Sequence, residues 1–131
     1  MLGIDTNLLV RLIVADDEEQ ADRAQRVLES RCSEEEPGFV NAVVLAEFSW
    51  VLAKSYGYDR ESIAVAIESL LSAKALEVQF PVEAWEAAKA CRGSMVGFAD
   101  FYLAAINRAQ GCDTTLTFDR KAAVTEGFEG I

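Results

Sequence analysis

Leu2-Gly3-Ile4-Asp5-Thr6-Asn7-Leu8-Leu9-Val10-Arg11-Leu12-Ile13 is the stretch that decides how this chain folds. Its first three residues read as a short buried strand, and Leu8, Leu9, Leu12 and Ile13 then recur at helical spacing. Asp5-Thr6-Asn7 is the step between them, which leaves Asp5 at the C-terminal end of a strand.

The rest of the chain repeats that step. Residues 17 to 31 form an amphipathic helix with an acidic start and Ala21, Ala24, Val27 and Leu28 on one face, and Glu34-Glu35-Glu36-Pro37-Gly38 is a loop. Phe39-Val40 is a second strand. From Val43 a strongly apolar helix runs to about Tyr56, where Gly57 supplies a stop and Asp59 an N-cap for the next helix, which turns Ile63, Ile67, Leu70 and Leu71 inward. Leu76-Glu77-Val78 is a third strand, and Pro81 suits the first turn of a helix bearing Val82, Trp85 and Ala88 and closed by Gly93. Another apolar helix spans roughly Phe98 to Gln110, Thr114 to Phe118 is a fourth strand, and a weak fifth lies near Phe128 to Ile131. Strands alternating with helices imply an α/β fold, a three-layer α/β/α sandwich with a mostly parallel central sheet of four to five strands. With 131 residues, half of them hydrophobic, residues 1–131 support one domain and one core.

Composition then narrows the chemistry. The chain has 22 acidic and 12 basic residues, a net charge of −10 and no histidine. A histidine base, a Ser-His-Asp triad and a histidine-ligated zinc are excluded, so carboxylates must supply any general base or metal ligand, and oxygen-only sites suit magnesium or manganese. The acidic balance argues against tight non-specific binding of duplex DNA. No apolar stretch approaches the roughly 18 residues that a membrane crossing needs, and Asp5 and Arg11 interrupt any signal-peptide pattern, so a cytoplasmic protein is expected. Cys32, Cys91 and Cys112 lack zinc or redox spacing and are expected to be small, mostly buried side chains.

Most of the acids, Glu83 among them, fall at helix starts or in loops where water solvates them. Four do not. Glu47 has Val43, Val44, Trp50 and Val51 at helical spacing, and Asp100 has Val96, Gly97, Leu103 and Ala104, so both are expected to point with a core face. Asp5 and Asp119 end the first and fourth strands, and the C-terminal edge of a parallel sheet is where ligands bind. Several carboxylates brought together there repel one another unless a cation intervenes. The plain structural alternative is that Asp5 and Asp119 cap the helices after them. Thr6, Asn7 and Thr117 stand beside the acids as hydroxyl or amide groups able to orient a carboxylate, while Asn41 reads as an N-cap.

Gly-Ile-Asp-Thr-Asn (3–7), Val-Leu-Ala-Glu (44–47), Phe-Ala-Asp-Phe-Tyr-Leu-Ala-Ala (98–105) and Thr-Phe-Asp-Arg-Lys (117–121) occur in one order along the chain. With them the chain resembles the PIN-domain family, and within it the VapC-type toxins of toxin–antitoxin systems. The resemblance implies that Asp5, Glu47, Asp100 and Asp119 are the catalytic, metal-binding acids and that Thr117 is the small hydroxyl residue of the site. It implies an endoribonuclease using Mg2+ or Mn2+, one or two ions per site, silenced by a small VapB-like antitoxin whose C-terminal segment lies over the acidic cleft, and commonly a homodimer. The expected chemistry is metal-assisted in-line hydrolysis of an RNA phosphodiester; Arg120 and Lys121, just after Asp119, read equally as groups that meet the RNA backbone or as solvated surface charges.

Two other readings compete. A magnesium-dependent phosphohydrolase using Asp5 as nucleophile lacks the second carboxylate two residues on, since Asn7 stands there. A non-catalytic PIN-like binding module would keep the fold and the acids but act only through its partner. A small upstream reading frame encoding a DNA-binding antitoxin favours the toxin, and a lone gene favours a housekeeping nuclease.

Overall fold

In the computed structural model, which describes residues 1–131, the step at Asp5 recurs down the chain. Strand β1 (Leu2–Gly3) leads to helices α1 (Thr6–Ile13) and α2 (Glu18–Arg31), and β2 (Gly38–Val40) leads to α3 (Ala42–Tyr56) and α4 (Arg60–Ser72). Next, β3 (Leu76–Val78) leads to α5 (Pro81–Cys91) and α6 (Phe98–Ala109), and β4 (Thr115–Thr117) leads to α7 (Arg120–Ala123) and β5 (Phe128–Gly130). Every strand pairing is parallel. The hydrogen bonds divide the five strands into a three-stranded sheet ordered β1-β2-β3 and a separate β4-β5 pair. The architecture is therefore the expected α/β sandwich built on parallel strands. Strands of two or three residues carry few ladder bonds, so helix packing supplies most of the core.

Local chemistry explains where the elements start. Asn41 Oδ1 accepts from Val44 N at 2.8 Å and Asp59 Oδ1 from Ser62 N at 2.8 Å, while Pro81 occupies the first turn of α5, where a missing N–H costs nothing. Gly57 ends α3 in the left-handed conformation that a side chain resists. Gly38 is required by a close approach: a Cβ there would stand 2.8 Å from Ile4.

Leu9, Val40, Leu45, Phe48, Leu52, Ile67 and Tyr102 form the fully buried centre. Several apolar residues named from the sequence lie outside it. α5 buries Ala84, Ala87, Ala88 and Cys91 and leaves Val82 and Trp85 exposed, because it packs between α4 and α6, where small residues allow close approach. α2 buries only Ala24 and exposes Val27. Leu2 and Gly3 are exposed, since β1 is hydrogen bonded on one side alone. Cys32 and Cys91 are buried but Cys112 is exposed, and all three are free thiols. Glu83 is only partly solvated, with Oε2 buried and unpartnered. No helix is long and apolar enough to cross a membrane.

Arg92, just past α5, ties that helix to α4: Nη1 and Nη2 meet Glu68 at 2.6 and 2.7 Å, and Nε meets Glu61 at 2.8 Å. The guanidinium holds the Glu68 carboxyl below its ordinary value, so this bridge stabilises the fold at neutral pH and is lost as pH falls through the lowered value. Arg92→Met is expected to lower the melting temperature modestly at pH 7. The gap to the unmodified chain should narrow on acidification, which thermal melts at several pH values will test.

Candidate functional site

Strand register sets the base of the site. Leu2 pairs with Gly38 and Gly3 with Phe39, while Gly38 pairs with Leu76 and Val40 with Val78. Continued past the strand ends, the same register levels Asp5, Asn41 and Gln79 along the C-terminal edge of the sheet. Each anchors a helix. Asp5 Oδ1 accepts from Thr6 N at 2.8 Å to cap α1, Asn41 caps α3, and Gln79 Oε1 accepts from Ala42 N at 2.9 Å. The Tyr102 hydroxyl of α6 donates to the Gln79 carbonyl, and the Phe98 and Tyr102 rings lie 5.2 Å apart, fixing the first turns of α6 to the same edge. α3 carries Glu47, and α6 carries Asp100 in its first turn, where the helix dipole favours a negative charge.

The fourth acid arrives from β4. Thr117 Oγ1 accepts from Asp119 N at 3.0 Å, and Asp119 Oδ1 in turn accepts from Lys121 N at 2.8 Å and Ala122 N at 3.1 Å. Asp5 and Asp119 thus both cap helices, the role that the plain structural alternative gave them. Capping engages one oxygen of each carboxylate, and Oδ2 of each makes no hydrogen bond within the chain.

Asp100 and Asp119 are the acids that this geometry brings into electrostatic reach. The Asp100 carboxyl is pushed above its ordinary value first by desolvation and then by the charge of Asp119, while Arg60 opposes the rise. Solvent reaches Asp100, yet the protein around it withdraws enough water to disfavour its charge. Asp5 and Glu47 do not join the pair in a closed cage: no three acidic or cysteine side chains approach to metal-holding geometry. The fit to a hard divalent cation rests on the all-oxygen donor chemistry, on the mutually repelling Asp100–Asp119 pair and on the free Oδ2 atoms.

Glu47 and Asp100 do not point with the core, contrary to expectation; both are exposed. The buried residues of α3 are Leu45, Phe48, Ser49 and Leu52, and of the apolar neighbours that suggested an inward Glu47, Val43 and Trp50 are 76% and 56% exposed. Leu103 beside Asp100 is likewise exposed. These side chains line an apolar groove of about 290 Å³ between α3 and α6, with Asp100 among its residues.

Two participants escape a sequence reading. Arg60, the first residue of α4, donates from Nη2 to the Met95 carbonyl at 3.2 Å, packs over Gly97 and supplies the positive charge felt by Asp100. No spacing rule links positions 60 and 100. Gln79 holds α3 and α6 at once, a role invisible in Val-Gln-Phe-Pro. Thr6, already noted beside Asp5, keeps a buried hydroxyl with no partner in the protein.

A family model described as PIN domain matches residues 3–127. No curated protein matches the chain, and no solved structure does.

Proposed function

The chain belongs to the PIN-domain family, whose members are in general nucleases, and from that premise we propose that it is a metal-dependent endoribonuclease and the toxin of a VapBC-type pair. The observation that carries this reading is the Asp100–Asp119 pair. Two carboxylates from separate elements come within electrostatic reach, and desolvation and then the charge of Asp119 make the Asp100 charge costly. Such an arrangement costs stability, and a cation offsets it.

Asp5, Glu47, Asp100 and Asp119 are the ligands in this reading. Bound Mg2+ or Mn2+, one or two ions, would supply the charge that makes water nucleophilic near neutrality and neutralises a phosphodiester. The chain's own groups set the geometry. Thr117 fixes the Asp119 turn through the amide of that residue, and Gln79 and Tyr102 hold the first turn of α6, so that Asp100 is presented from a rigid element. Arg60 limits the repulsion between the acids while a substrate phosphate is absent.

The antitoxin finds support in the α3–α6 groove. Val43, Trp50 and Leu103 expose an apolar face next to Asp100, which suits a partner segment with apolar anchors and a basic side chain for the acids. The homodimer rests on family resemblance, and the cytoplasmic location on a sequence with no apolar stretch long enough to cross a membrane.

The test is incubation of total RNA with the purified chain in magnesium, in manganese and in excess EDTA. Discrete fragments in either metal and none in EDTA are expected. Absence of cleavage in both metals, with the protein folded and free of partner, would favour the non-catalytic binding module instead.

A further inference from the structure

A chain of net charge −10 has few places where an anion is welcome, and the groove between α1 and α2 is one. It encloses about 510 Å³ and is lined by Asn7, Arg11, Gln20 and Arg23 together with Leu8, Ala24 and Val27, with no carboxylate among them. Two grooves mix signs, Lys74 lying with Glu34 and Glu77 in one and Arg108 with Glu86 and Glu126 in the other, whereas a smaller groove beside Met95 is lined by Arg120 and Lys121 and, like the α1–α2 groove, holds no carboxylate.

The two arginines are presented differently. Arg11 is held by Asp16 at 3.0 Å and by the Tyr56 hydroxyl at 3.5 Å, both through Nη1, which leaves Nη2 and Nε to donate elsewhere. Arg23 is exposed and makes no ion pair. The groove also begins at the carboxylate site. Asn7 is two residues past Asp5, and Asn7 and Arg11, four apart on α1, share a face that leads away from the sheet edge for about 6 Å. Amides and guanidinium groups along a lining without carboxylates, with Asp16 reaching only Arg11 Nη1, match a sugar–phosphate backbone.

We propose that the α1–α2 groove holds the backbone of single-stranded RNA next to the bond being cut, with Arg23 and Arg11 on its phosphates. The inference rests on the nuclease reading above and adds the path of the substrate. Arg23 carries the test, because its exposed side chain can be changed without touching the core, whereas Arg11 also braces Tyr56.

The measurement is binding of a fluorescein-labelled uridine dodecaribonucleotide in magnesium, by anisotropy across a salt series, in the Asp100→Asn background that blocks cleavage. Arg23→Ala is expected to weaken binding about fivefold to tenfold at low salt and to reduce the salt slope by about 0.7, the value for one lost phosphate contact on a single strand. Arg23→Lys should restore the slope. Arg31→Ala, which removes an equal charge from the same helix outside the groove, should change both far less. Equal effects of Arg23→Ala and Arg31→Ala overturn the groove and leave the carboxylate reading standing. No dodecamer binding by any folded form overturns the groove, while the nuclease reading stands or falls separately on the cleavage of total RNA.

Discussion

Asp100→Asn is expected to reduce RNA cleavage by on the order of 100-fold or more and at the same time to raise the melting temperature at neutral pH. The loss follows from removing a charge aimed at the metal and the reacting phosphate. The gain follows from linkage. Desolvation, then Asp119, raises the folded-state value of the Asp100 carboxyl. The stability that goes with its protonated form is therefore present below the unfolded-state value and is lost as pH rises through the folded one. Asparagine resembles the protonated form at every pH, so the variant should be the more stable above that window and indistinguishable below it. Magnesium separates this account from a general loss of structure. A cation bound only by the folded state should raise the melting temperature of the unmodified chain and raise that of Asp100→Asn much less. Cleavage retained in Asp100→Asn, or a melting temperature that falls at neutral pH, would falsify the assignment of this residue.

How much of this was legible beforehand depends on the kind of signal. The alternation of strands and helices was legible because caps and stops are local: Asn41, Asp59, Pro81 and Gly57 announce their roles within four residues. The position of the acids in the fold was legible for Asp5 and Asp119, since each comes just after a short run of strand-forming residues. The direction of Glu47 and Asp100 was not. α3 is apolar nearly all round, and a helix of that kind gives no periodic stripe from which to read an inward face. Val43 and Trp50 look like core residues in the sequence, yet they border a surface groove. The Asp100–Asp119 pairing and the Arg60 contact depend on how α4, α6 and β4 pack, which involves separations of 19 and 40 residues that no local rule spans. The division of the strands into three and two also lay beyond reading, because it is decided by which edges meet.

Adjacent residues on α3 should therefore fail in opposite ways. Phe48 is fully buried, and Phe48→Ala removes an aromatic ring from the centre of the core. It is expected to cost about 3–5 kcal/mol through lost transfer energy and the cavity left behind. Against the roughly 5–15 kcal/mol typical of a domain, that leaves the chain close to unfolding. Glu47, one position earlier and about 100° round the helix, is exposed, and its carboxylate makes no ion pair within the chain. Glu47→Gln should leave the denaturant midpoint nearly unchanged and lower cleavage by on the order of 10- to 100-fold, as expected for a metal-supporting carboxylate. Its solvent exposure is what makes the test clean, because a merely structural carboxylate would lose stability first. If urea melts show Glu47→Gln to be destabilised while its residual cleavage equals that of the unmodified chain, Glu47 belongs to the scaffold and the metal site must be built from Asp5, Asp100 and Asp119 alone.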